Sequence, residues 1–137
     1  MKHKSVLEKD LNKLITKLHR EIFGKGPDEV WVKIYRNVGT FACVKSLTSL
    51  EEFLLTTPHG VDEVLRLRKV IAANIKSRFC SEVEALCGVK VVGVTGELCI
   101  QANTLYGVIL FQDEIEDTLL QQGQNISDKS SRENPDF

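Results

Sequence analysis

No stretch of the sequence approaches the roughly 20 consecutive apolar residues of a membrane-spanning helix. Its longest apolar runs, such as Val108-Ile109-Leu110-Phe111, have the length of a strand. An excess of charge is also missing. The formal net charge is -1, which leaves no global field to attract nucleic acid or an anionic membrane. The basic start, Met1-Lys2-His3-Lys4, is not followed by an apolar segment, so no secretory signal is predicted. A cytoplasmic location and reduced thiols are then expected for the four cysteines. Those cysteines contain no C-x-x-C pair, and His3, His19 and His59 stand apart from them, so neither a metal site nor a cofactor is expected. Cys80 and Cys87 are about 10 Å apart along one helix, too far for a disulfide.

What is present fits one domain with its own core. The chain has 137 residues, 42% hydrophobic and 27% charged, both ordinary for a globular protein. Leu7, Leu11, Leu14, Ile15, Leu18 and Ile22 recur at steps of three and four, predicting a helix over Val6–Phe23. Gly24, Gly26 and Pro27 end it. Val30 to Tyr35 and Thr40 to Val44 are β-branched and aromatic around an Asn37-Val38-Gly39 turn, which predicts a hairpin. Thr48 and Glu51 have capping-box spacing and open a short helix reaching Leu55. A long helix follows from Val61 to Cys87, with an apolar stripe of Val64, Leu67, Ile71, Ile75, Phe79, Val83 and Leu86 and a cap at Gly88. Strands over Val89–Val94 and Thr104–Phe111, joined by a loop from Gly96 to Asn103, form a second hairpin. A short helix from Asp113 to Gln122 closes a domain spanning 1–122, and residues 123–137 form a polar, disordered tail.

These elements predict an α+β fold, a four-stranded antiparallel sheet with both long helices on one face. Trp31, Lys33 and Tyr35 alternate with Val30, Val32 and Ile34, so both sheet faces carry apolar side chains. A homodimer that covers the second face is expected.

The residues that suggest chemistry have plainer structural uses. Glu51-Glu52, Asp62-Glu63 and Asp113-Glu114 each stand at a predicted helix start, where carboxylates complement the helix dipole. Gly24-Lys25-Gly26-Pro27 looks like a phosphate loop, but it closes a helix and leads into a strand, so carbonyls rather than amides face it. Lys25 is left as a candidate surface contact. Arg66, Arg68, Lys69, Lys76 and Arg78 are flanked by Asp62, Glu63, Glu82 and Glu84, which reads as a solvated face of mixed charge. Trp31 and Tyr35 lack the glycine-aromatic signature of base-stacking sheets, and nucleic acid is not an expected partner. No catalytic residue is assigned, and Lys25, Trp31, Tyr35, Arg66 and Arg68 are the candidate interaction residues.

Several segments taken together resemble the MpsC-like family of small bacterial proteins, over roughly Leu7 to Gln112. They are Gly24-Lys25-Gly26-Pro27 before a strand, Leu47-Thr48-Ser49-Leu50-Glu51-Glu52-Phe53-Leu54, Val64-Leu65-Arg66-Leu67-Arg68, and Val83-Glu84-Ala85-Leu86-Cys87-Gly88-Val89-Lys90-Val91. Lys25 stands where the family has arginine, and Cys87 where it often has threonine. The family is named for a sodium-translocating system that generates membrane potential. The resemblance implies a non-enzymatic accessory or regulatory protein, working by protein contacts at a sodium-linked transport or inorganic-carbon uptake system. A second reading is a small-ligand sensor with a pocket between sheet and long helix and the Glu97–Asn103 loop as its lid. A third, an enzyme using Arg68, His59 or a cysteine, has no motif behind it.

Overall fold

A computed structural model describes residues 4–115 of the chain. Helix α1 (Lys4–Phe23) is followed by β1 (Glu29–Tyr35) and β2 (Val38–Val44), α2 (Ser49–Leu54), α3 (Gly60–Cys87), β3 (Val91–Cys99) and β4 (Thr104–Phe111). The strands form one antiparallel sheet in the order β1-β2-β4-β3. The α+β fold expected from two hairpins and two long helices is the one observed. The predicted helix after Asp113 and the tail lie, beyond Ile115, outside the described residues.

Amphipathic periodicity explains the core. Leu7, Leu11, Leu14, Ile15 and Leu18 bury one face of α1 against Val32, Ile34, Phe41 and Cys43 of the first hairpin. Burying each such side chain is worth about 1.5–3 kcal/mol. Ile109 and Phe111 of β4 extend this core toward β3. Gly24 and Gly88 both take positive φ and donate backbone N–H bonds to Arg20 and Glu84, so each ends its helix as expected.

The long helix departs from its predicted stripe. Val64 near one end and Val83 and Cys87 near the other are buried, but Ile71, Ile75 and Phe79 are only half-buried. Leu67, expected inside, is 37% exposed, and the inward position belongs to Arg68. Helix α3 is therefore pinned at its two ends, and its middle stands off the sheet.

The second hairpin also differs from the sequence reading. Strand β3 begins two residues later than predicted and continues to Cys99, and Glu97, Leu98 and Cys99 pair with Tyr106, Leu105 and Thr104. The connection shrinks to residues 100–103, so no long loop is left to act as a lid. Gly96 weakens the strand signal in the sequence. Cross-strand pairing of its neighbours with β4 overrides it.

Candidate functional site

The region between α1, α3 and the sheet holds two linked features, a buried polar network and an apolar cavity. The network begins at α2. The Thr48 hydroxyl accepts the Glu51 backbone N–H at 3.1 Å, and the Glu51 carboxylate accepts the Thr48 N–H at 2.9 Å, completing the expected capping box. The same carboxylate turns inward to Arg68. Arg68 Nε donates to Oε2 at 2.6 Å and Nη2 to Oε1 at 2.7 Å, a two-pronged pair. Both side chains are buried, Glu51 at 1% exposure and Arg68 at 7%.

Every polar group around this pair has a partner. Arg68 also donates to the Ser46 hydroxyl at 2.9 Å and the Ser46 carbonyl at 3.0 Å, and its guanidinium lies 4.0 Å from the Phe23 ring centre. His19 bonds the Lys25 carbonyl through Nδ1 at 2.8 Å and the Ser46 hydroxyl through Nε2 at 2.7 Å. A carbonyl can only accept, so Nδ1 carries the proton, and Nε2 accepts from Ser46. In the neutral imidazole these bonds fix the tautomer with the proton on Nδ1. Lys25 Nζ donates to the carbonyls of Lys45 and Leu47, which ties the glycine turn to the chain entering α2. The Gly24–Pro27 segment therefore serves as a turn and cap, as its place after a helix implied.

The charges in this cluster set its titration. Burial holds the His19 imidazole below its ordinary 6.5; the hydrogen bond to Lys25 opposes this, and the charges of Arg68 and Lys25 reinforce it, with Glu51 pulling weakly upward. Burial pushes the Glu51 carboxyl up, but hydrogen bonds from Arg68 and Thr48 together with the Arg68 charge outweigh it and leave the group below its ordinary value. As pH falls through about 6.5, the unfolded chain protonates His19 first, so stability present above that pH is lost progressively below it. Denaturant unfolding across pH should show a plateau above about pH 7 and a decline beginning near 6.5, steepening below about 4.5 as Glu51 titrates. His19→Gln should remove the first decline and keep the second. An unchanged profile in that variant would show that His19 is not the titrating group.

Beside the network lies a cavity of about 550 Å³. Its floor is Phe41, Cys43 and Leu105 of the sheet; Ile15, Leu18 and Ile22 of α1 form one wall, and Ile71, Ala72, Ile75 and Phe79 of α3 the other. His19 and Arg68 border it, joining network to cavity. The cause lies in α3. Pinned at its ends, it carries Ala72 and Ala73 along the gap, side chains too short to reach the sheet. The volume falls within the about 300–1,000 Å³ typical of small-molecule sites. Burial pushes the Cys43 thiol up to about 12, against a smaller opposing effect of the Arg68 charge, so the floor presents an uncharged thiol at neutral pH.

The sequence-derived candidates separate into three places. Arg68 and Lys25 belong to the network. Arg66 is on the solvent side of α3, paired with Glu63 at 2.8 Å. Trp31 and Tyr35 stand on the sheet face opposite the helices. The reading of Arg68 as part of a solvated face is corrected, because Glu51 and Ser46 enclose it. His59, considered as a catalytic residue, takes a left-handed backbone conformation just before α3 and makes no side-chain cap. His19, Ser46 and the inward role of Glu51 were not singled out. One signal was available: Arg68 follows Val64 by four and precedes Ile71 by three, which places a charge on the apolar line. Among the described residues, no group of three or more His, Cys, Asp or Glu side chains is placed to hold a metal ion, and no helix is long and apolar enough to cross a membrane.

Comparison with known proteins places the chain in a family. One relative, the uncharacterized protein YrhF of Bacillus subtilis (strain 168), is 28% identical over 109 residues, covering 79% of this chain and 89% of the relative. No solved structure matches. The family model described as "Na+-translocating membrane potential-generating system (MpsC)" matches residues 3–113, which takes in every element from α1 to β4. The chain belongs to this MpsC family.

Proposed function

We propose that this chain is a non-enzymatic, cytoplasmic accessory protein of a sodium-linked membrane system, and that it regulates that system by binding a small ligand between α1, α3 and the sheet. The observation that carries the reading is the apolar cavity of about 550 Å³ bordered by a fully hydrogen-bonded polar network. The family description supports the link to sodium translocation. A non-catalytic role is supported by the state of the nearby nucleophiles. Ser46 is fully buried beneath Arg68 and His19, and Cys43 is held as a thiol. Cross-linking in native cells, followed by isolation of the tagged chain, should recover subunits of a sodium-translocating membrane complex. Recovery of the intact chain without any such subunit would contradict the membrane-system part.

A specific observation also favours self-association. The outer sheet face carries Trp31, Tyr35 and Tyr106 at 41%, 69% and 48% exposure, with Val108 and Leu110 beside them. The register aligns Trp31, Ala42 and Tyr106 in one row and Tyr35, Val38 and Leu110 in another. Exposed aromatic rows of this kind suit the centre of an interface. Light scattering at micromolar concentration should give twice the 15.4 kDa chain mass, and Tyr106→Glu should return it to the monomer value. A monomer in the unaltered chain would contradict the dimer.

A further inference from the structure

Building on the proposed ligand-binding role of the cavity, we infer that its ligand is a single-chain amphiphile with an anionic head, a medium- or long-chain carboxylate. The apolar part follows from the walls: Ile15, Leu18, Ile71, Ile75 and Phe79 surround the space above Phe41. The anionic head follows from the charges at the rim. Lys69 and Lys76 line the cavity yet are exposed, so they stand at its mouth. They are seven positions apart, two turns along one flank of α3.

Neither lysine has its charge cancelled within the helix. No acidic residue stands three or four positions from either one, and none occurs between Glu63 and Glu82. By contrast, Arg66 pairs with Glu63 and Arg78 with Glu82 and Glu21. Arg68, the deeper cation, is already neutralised by Glu51. Glu97 borders the cavity from β3, but it pairs with Tyr106, which faces away from the helices. Period-two alternation therefore directs the Glu97 carboxylate to the outer sheet face. Among the described residues, the mouth carries two lysines without an acidic neighbour on α3, over an apolar interior, the complement of an alkyl carboxylate.

Isothermal titration of the full chain with octanoate, decanoate, decanol and decylamine tests this. Decanoate should bind, and octanoate, two methylenes shorter, should bind about 15-fold more weakly, because each enclosed methylene contributes about 4-fold. Decanol should be weaker than decanoate by about 10-fold, the worth of two exposed charge contacts. In the double variant Lys69→Glu/Lys76→Glu the order should invert, with decylammonium bound in preference to decanoate. Both positions are on the surface, so folding should be unaffected, which circular dichroism checks. Equal binding of all three ten-carbon compounds, unchanged in the variant, would overturn the anionic head and leave the cavity as an apolar site. Binding of none would overturn the cavity reading as well. Sedimentation with phosphatidylglycerol vesicles, without binding of free decanoate, would assign the lysines to a bilayer surface and overturn the soluble ligand.

Discussion

Glu51→Leu should destabilise the protein by about 3–5 kcal/mol, because it leaves the Arg68 guanidinium buried with its main counter-charge gone. A further loss acts in the same direction: the Thr48 backbone N–H loses its acceptor, which is half of the α2 capping box. The comparison that isolates the charge is the double variant Glu51→Leu/Arg68→Met. Replacing both members of a buried ion pair by apolar groups of similar size is often far less damaging than removing one. Urea unfolding should therefore find the double variant more stable than Glu51→Leu alone, although Ser46 still loses two donated hydrogen bonds. If the double variant were as unstable as the two single changes added together, the pair would not be coupled as its geometry requires.

Gly60→Ala should be comparably severe for a steric reason. A Cβ on Gly60 would lie 1.7 Å from the Leu54 carbonyl oxygen and 2.6 Å from its carbon. Both are backbone atoms at the end of α2, so no side-chain rotation relieves the clash. Helix α3 would have to move away from α2, drawing Arg68 away from Glu51 seventeen residues earlier. Overpacking commonly costs about 1–3 kcal/mol, and a contact this short with backbone belongs at the upper end. A melting temperature lower by roughly 10 °C is expected. An unchanged melting temperature would mean that α2 and α3 do not meet as closely as described.

These two changes fall on the part of the molecule least readable from sequence. Local signals worked where local forces decide. The repeats of Leu7, Leu11, Leu14 and Leu18 located α1, and the spacing of Thr48 and Glu51 located the start of α2. The alternation of Trp31, Lys33 and Tyr35 with Val32 and Ile34 divided β1 between two sheet faces, and the structure shows that the Val32 and Ile34 side packs against α1. The Glu51–Arg68 pair joins two helices across an interhelical turn, and each residue had a sufficient local explanation, a cap for one and a charged helix face for the other. The cavity depends on the distance between α3 and the sheet. No periodicity encodes that distance; it follows from anchoring at Val64 and Val83 with Ala72 and Ala73 between. The longer β3 was hidden by Thr95-Gly96-Glu97, which is a weak strand former until β4 pairs with it.

The cavity and its network also explain each other. Arg68 is held by Glu51 and Ser46, and through them by His19 and the turn at Lys25. This cluster anchors the N-terminal half of α3, while Val83 and Cys87 anchor the other end against the core. A ligand between these anchors would contact α1, α3 and the sheet together.

The most direct measurement of the central claim is an NMR titration of the isotope-labelled full chain with decanoate, following the methyl and aromatic signals of both sheet faces. The account predicts saturable shifts at Phe41, Leu105, Ile71, Ile75 and Phe79, with Trp31 and Tyr35 changing little. Shifts confined to Trp31, Tyr35 and Tyr106, or none at saturating decanoate, would contradict it.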